Sequence, residues 1–514
     1  MKSKRFFILF IFTGLLIGCQ TPTNSGIIKF PLNKAKNVNP DTHLVLTFPS
    51  SPTLGNSGKI RIYDASNDEL VDSLDLGIPS GPTVSDKERV PYIQSPYEYI
   101  TGDFSNKNTK PGTPSGGATQ NSSEYQLTII GGFTDAFHFY PVIINDNEAT
   151  IYLHHNLLEY DKTYYVLIDS EVFFFEENDF QGITGKNEWR FTTKKSPPAS
   201  GSESLIVSDD GSGDFNTVQG AVDFIPDFNP EHTTIFIKNG RYEEIVYFRN
   251  KSNITFKGEN RDSVIVCYAN NEVFNPHPAN IATNEMPGTF PTRRAVFAAD
   301  NSNRITIENL TIQSINEKPA QAEGLFIMGK ENIVKNTTVI GSGDALQING
   351  SVYLEDVKIV GFGDNILGRG PAFFKDCELY STYGPHIWMR NTEENHGAVF
   401  KNCTFAMICE GETTIARTSD NRKGGYPYSE VVLLNCTLDR IKPEGWGISG
   451  TGISNIRYWE YNSINLSDRD KVDVSKRHPI SKQLTMENNS DEIMYYSNPV
   501  NILGDWVESV KSDK

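Results

Sequence analysis

Between residues 30 and 195 apolar and polar positions alternate in short runs: "THLVLTF", "KIRIYD", "YQLTII", "ATIYLHH", "TYYVLID" and "EWRFTTK". A period of two in runs this short predicts half-buried strands, and the polar turns between them predict a β-sandwich. The polar, glycine-rich "NKNTKPGTPSGGATQNSS" interrupts the alternation and reads as a mobile loop. "KKSPPASGSES" is rich in Pro and Ser and places a linker at 196–204. Beyond it the rhythm changes. Six segments, "ITIENLTIQ", "NIVKNTTVI", "VYLEDVKIV", "AFFKDCELY", "AVFKNCTFA" and "VVLLNCTLD", share one order: apolar residues, a polar one, Asn or Asp, then alternation. The shared positions are Asn309, Asn336, Asp356, Asp376, Asn402 and Asn435, at intervals of 27, 20, 20, 26 and 33. A minimum near 20 with variable excess implies coils of one core size carrying loops of different length. The expected fold is all-β, a parallel β-helix over 205–510 preceded by a sandwich over 30–195. Cys377, Cys403 and Cys436 follow the Asn/Asp position directly, which predicts a stacked column in the core.

Two near-copies, "VIGSGDA" and "IVGFGDN", set Asp344 and Asp364 behind a Gly-x-Gly turn, 20 residues apart. Residues one coil apart stack at the strand spacing of about 4.8 Å. The two carboxyl groups are therefore expected to face the same way, and two such neighbours cannot both ionise cheaply. One raised and one ordinary carboxyl is the division of labour that an acid/base and a nucleophile need. Repeated turn chemistry also accounts for the glycines. It leaves open why "YSTYG", in the next coil, has Gly384 where the series calls for a third Asp.

Composition narrows the function. The formal charge of −17 argues against nucleic acid and anionic membrane surfaces as partners, and suits a polyanionic substrate only if basic residues gather at the site. Five cysteines follow the N-terminal segment, without CxxC or zinc spacing, and the nine His are scattered. The first 19 residues, "MKSKRFFILFIFTGLLIGC", have a basic start and an apolar run too short to span a membrane. Their end, Leu16-Ile17-Gly18-Cys19, resembles the lipobox of bacterial lipoproteins, which implies lipidation of Cys19 and a polar tether over 20–29. Gln20 rather than Asp follows, and the sorting rule of such proteins then implies the outer membrane of a diderm cell, on either face.

Several ordered motifs resemble one family. "DGSGDFNTVQGAVDFIP", "IFIKNGRYEE" with Gly240, Tyr242 and Glu244, and "NITFKGEN" are similar to the entry of the right-handed β-helix of pectinesterases, carbohydrate esterases that demethylate homogalacturonan. "GFGDNILGRGPAFFKDCEL" resembles the family segment that carries its nucleophile. "IARTSDN" with the strand after it resembles the segment "L-G-R-P-W", and "QAEGL" stands where the family has "Q-A-V-A-L". The likeness runs from about 205 to 505 and implies roles. Asp364 would attack the ester carbonyl, Asp344 would protonate methanol and then activate water, Gln321 would donate to the oxyanion, and Arg417 would hold Asp364 ionised. Trp388, Arg390 and Trp446 are the expected substrate-binding residues. Neither the residues nor the resemblance implies a metal or organic cofactor. The 30–195 region resembles the Ig-like domains attached to exported bacterial enzymes, as spacer or packing partner, and the chain is expected to be a monomer.

The departures from the family are specific. Its "Q-D-T-L" reads "GDAL", so the second oxyanion glutamine is Gly343, and Gln347 nearby is not an evident replacement. Thr418 and Ser419 replace Pro-Trp, and Asn365 and Ile366 follow the nucleophile. Trp388 is then the candidate sugar platform, or else a packed loop aromatic. The long stretch from 270 to 294 is expected to reshape one wall of the cleft. Three functions stay in view: an esterase acting on pectin or another uronic-acid ester, a polysaccharide lyase, and a glycan-binding β-helix without turnover. A lyase typically needs a Ca²⁺ site of several acidic groups and a basic residue, and no such cluster beyond the aspartate pair is evident.

Overall fold

The computed structural model describes residues 26–83, 124–130, 137–175, 180–275, 293–418, 426–449 and 453–510. Cys19, the loop read at 106–123 and most of the 270–294 stretch lie outside them. Two sheets face each other in the N-terminal region. One runs Ile28–Phe30, Leu44–Thr47, Glu148–Ile151, Val142–Asn145, and the other Ala35–Val38, Arg190–Thr193, Thr163–Ile168, Lys59–Asp64, Leu70–Asp75. Alternation does what it predicts: in Lys59–Asp64 every second residue is buried, and Ile60 and Ile62 meet Leu44, Leu46, Trp189 and Phe191 in one core.

From Ser204 the chain winds into parallel coils, with one 18-stranded and one 8-stranded sheet. A coil is seen clearly at Val352–Gly361, which pairs with Asn332–Ile340 before it, and at the short Ile366–Gly368 that follows. The repeated Asn/Asp has a conformational cause. Asn309, Asn336, Asp356, Asp376, Asn402 and Asn435 all have φ between 41° and 61°, where the coil turns from one face to the next. Among residues with a side chain, Asn and Asp enter this left-handed region at least cost. Their amides also bridge coils: Asn336 Nδ2 donates to Asn309 Oδ1 at 2.7 Å and Asn402 Nδ2 to Asp376 Oδ1 at 3.0 Å. Asn462, with φ of 53°, extends the column by donating to Asn435 at 3.0 Å.

Cys377, Cys403 and Cys436 are reduced and buried, and the Cys377 amide donates to Cys403 Sγ at 3.4 Å. Phe374 and Phe400 stack beside them with centroids 4.3 Å apart. The helix Val218–Phe224 packs on the first strands, Ser204–Val207 and Thr233–Ile237, and so covers a sheet end that would otherwise be open. Glu244 takes hydrogen bonds from the amides of Val218 and Gln219 at 2.8 and 3.0 Å, so the G-x-Y-x-E motif anchors this helix. Near the C-terminus Met486–Ser497 and Pro499–Leu503 lie on an outer face, with Tyr496, Ile502 and Leu503 against Phe373, Val399 and Val432.

The N-terminal sheets lie directly on the β-helix. Asp41 Oδ2 accepts from the amides of Asn216 and Thr217 at 2.9 and 2.8 Å, and His155 pairs with Asp223. Phe137 is buried in the core cluster of the β-helix, under the guanidinium of Arg293 at 4.6 Å.

Candidate active site

Strand register builds the site. Leu325, Leu346 and Ile366 are paired neighbours on successive coils. The residues two positions before them, Glu323, Asp344 and Asp364, therefore form one acidic column. The expected pair is thus part of a triple. On the next coil Ile387 pairs with Ile366, so the in-register residue is Pro385 and not Gly384; its carbonyl takes the Asp364 amide at 2.6 Å.

Arg294 organises the upper part of the column. Its Nε reaches the two Glu323 oxygens at 3.1 and 2.9 Å, and Nη2 reaches Glu323 at 2.7 Å and Asp344 Oδ2 at 2.7 Å. Nη1 donates to Gln321 Oε1 at 2.8 Å, and Glu272 lies 3.5 Å from it. Burial alone would lower the pKa of Arg294, but Glu323, Asp344 and Glu272 outweigh it and hold the charge. Asp344 is 9 % exposed. Burial pushes its carboxyl up to about 7; Arg294 opposes this, and Glu323 adds to it ahead of Asp364. The raised carboxyl expected of the pair is present, but desolvation and Glu323 cause it more than the neighbouring aspartate does.

Asp364 has a different environment. Arg417 grips it from Ala416–Arg417, with Nε at 2.8 and 3.0 Å and Nη2 at 2.6 Å from its carboxylate oxygens. A bidentate, charge-assisted fork of this kind fixes the orientation of the carboxyl group. The Asp364 backbone has φ of 48°, in the left-handed region that Asp enters at low cost. By register Phe326, Gln347, Leu367, Trp388 and Arg417 follow one another on successive coils; the first three are buried, and Arg417 is partly exposed. Trp388 is half-buried; the Arg417 guanidinium lies 4.0 Å and that of Arg390 4.5 Å from its ring centre.

Trp446 does not belong to this surface. It is 1 % exposed and stacks on Tyr458 at 4.8 Å inside the coil, so the expectation that it binds substrate is corrected. Its strand, Trp446–Gly447, pairs with Ala416–Arg417 and supports Arg417 from within.

The sequence profile of the pectinesterase family matches residues 204–489, more than half of the chain. The chain belongs to the pectinesterase family. Pectinesterase QRT1 of Arabidopsis thaliana is 32 % identical over 255 residues, which cover 47 % of this chain and 63 % of that one. Pectinesterase 1 of Olea europaea is 29 % identical over 275 residues, covering 50 % and 69 %. The chain thus spans less than two thirds of the QRT1 protein. Among solved structures, the pectin methylesterase from carrot superposes on 60 % of this chain and 95 % of its own, at 21 % identity and a TM-score of 0.48.

Departures from the pectinesterase pattern acquire physical reasons. A Cβ on Gly343 would lie 2.5 Å from the carbonyl oxygen of Ala320, so no glutamine fits there without moving backbone. Gln347 is fully buried in Leu346–Ile348, one coil from Leu367. Glu323 stands at the valine of "Q-A-V-A-L", and Arg294 arrives to meet it. Sequence reasoning missed both, although the altered motif "QAEGL" held the signal. It also missed an aromatic ledge. Phe362 and Tyr383 stack at 5.4 Å and 18°, four residues ahead of their strands as Gln321 is ahead of Leu325, and Tyr383 is 74 % exposed. "GFGD" in place of "GSGD" was its trace.

Proposed function

We propose that the protein hydrolyses methyl esters on galacturonate residues of pectin. The observation that carries this reading is the contrast within one column: Asp364 in the fork of Arg417, and Asp344 buried with its carboxyl raised to about 7. Asp364 attacks the C6 carbonyl of the ester, and the Gln321 amide, with its oxygen tied to Arg294, donates to the oxyanion. The C–O bond to methoxide breaks as Asp344 gives up its proton, releasing methanol and leaving an acyl anhydride on Asp364. Asp344, now ionised, takes a proton from water; hydroxide attacks the acyl carbon, Asp364 departs, and the uronic acid is freed. The ledge of Phe362 and Tyr383 stacks against a sugar ring. The reading is tested by methanol release from highly methylated pectin. An unsaturated, ultraviolet-absorbing product from polygalacturonate would instead support a lyase, and binding without methanol a glycan-binding protein.

We also infer that Cys19 is lipidated after removal of the preceding residues, anchoring the protein at the outer membrane, and that the N-terminal sandwich is Ig-like and packs on the enzyme as a monomer. Cys19→Ser releases the protein to the soluble fraction if this holds; unchanged membrane association contradicts it.

A further inference from the structure

Glu323 stands where the family motif has a valine, and Arg294, just ahead of the strand Phe297–Asp300, comes in to meet it. Both are buried, while Gln321 lies exposed at the groove. Glu323 is the anchor: its two oxygens take three contacts from Nε and Nη2 of Arg294, at 2.7 to 3.1 Å. The rest of the guanidinium is then aimed at the reacting groups, with Nη1 on Gln321 Oε1 at 2.8 Å and Nη2 on Asp344 Oδ2 at 2.7 Å. Each contact settles a choice. An amide whose oxygen is held by an arginine presents its NH₂ on the other side, the end that an oxyanion needs. A carboxyl oxygen that accepts from a guanidinium is not the one that carries the proton, so the proton of Asp344 sits on Oδ1. At residue 343 the second glutamine of the family is absent, and a Cβ there would meet the carbonyl of Ala320. The orientation of the one remaining glutamine therefore matters more.

We propose that Arg294 and Glu323 are a positioning pair that compensates for the missing donor at 343. Glu323 fixes the guanidinium, which in turn fixes the donating end of Gln321 and keeps the proton of Asp344 on the oxygen left for methanol. The inference rests on the esterase reading above and deepens it; neither residue touches the reacting atoms. The pair also acts by charge. The charged groups around Asp344 are Arg294, Glu323, Asp364 and Arg390, with Glu272 beside Arg294, and Glu323 disfavours its ionised form ahead of Asp364.

The test compares the full chain with Glu323→Gln, Glu323→Val and Arg294→Lys. It records pH profiles of kcat and KM for methanol release from methylated pectin, melting temperatures, and the titration of the Asp344 carboxyl by carbon-13 NMR. Glu323→Gln keeps an acceptor for Arg294 but removes a negative charge, so the alkaline limb of kcat/KM and the NMR midpoint are expected to move down by about one pH unit. Arg294→Lys keeps the charge but has no fork to span three partners, so kcat is expected to fall about tenfold with KM nearly unchanged. Glu323→Val installs the residue of the family and is nevertheless expected to show both effects. An alkaline limb that stays in place in Glu323→Gln, or a kcat of Arg294→Lys equal to that of the parent, overturns the positioning pair, as does a loss confined to melting temperature. Absence of methanol release from the intact protein overturns the esterase reading instead, and the NMR midpoints of the parent and Glu323→Gln then decide the pair by themselves.

Discussion

At the scale of single residues, the two aspartates differ by environment and not by kind. Because Asp344 must hold a proton to release methanol, kcat/KM is expected to fall about tenfold per pH unit above about 7, which a pH profile on methylated pectin reads directly. The same shift is linked to stability. A carboxyl raised from 3.8 to about 7 keeps its proton in the folded state where the unfolded chain has lost it, so stability declines as pH rises through that window. Asp344→Asn is thus expected to match the parent near pH 4 and to exceed it above pH 7 by roughly 4 kcal/mol in denaturant melts. Gln321→Ala is expected to lower kcat about a hundredfold, as loss of an oxyanion donor does. Gly343→Gln restores nothing, because its Cβ collides with the carbonyl of Ala320. The spacing of Asp344 and Asp364 made the pair legible in the sequence. Arg294 was not legible, because it comes from a stretch 50 residues upstream with no repeat to place it. Trp446 was misplaced because a motif aromatic shows its position on a strand but not which way it faces.

Among the elements, the coils were the most readable part of the fold, since their period shows as a column of Asn and Asp. The column holds the left-handed corner in place. Asn402→Ala forces alanine to φ of 58° and removes the amide bridge to Asp376, so it is expected to cost about 1 kcal/mol or more, with Asn402→Gly costing less. Equal losses in thermal unfolding would contradict that account. The helices Met486–Ser497 and Pro499–Leu503 left no such trace. Their buried residues are few, Ile493, Tyr496, Ile502 and Leu503, and they cover an outer face that the inward alternation of the coils does not report.

Taken as a whole, the molecule reconciles a net charge of −17 with an anionic polymer by gathering Arg294, Arg369, Arg390 and Arg417 around one column. The N-terminal region is coupled to that column through a separate two-stranded piece, Leu127–Thr128 with Phe137–His138. Phe137 sits in the β-helix core under Arg293, whose neighbour Arg294 ties Glu323, Asp344 and Gln321 together. Phe137→Ala is therefore expected to cost about 3 kcal/mol and to lower kcat as well, a split that melting and steady-state kinetics report separately. A melting loss without any change in kcat would confine that piece to a supporting role. The most direct measurement for the whole account is methanol release from highly methylated pectin by the intact protein, Asp364→Ala and Asp344→Asn, side by side. The account predicts turnover by the intact protein, a loss of roughly 10⁴-fold without the nucleophile and about 10³-fold without the acid. Turnover that survives in Asp364→Ala would contradict it.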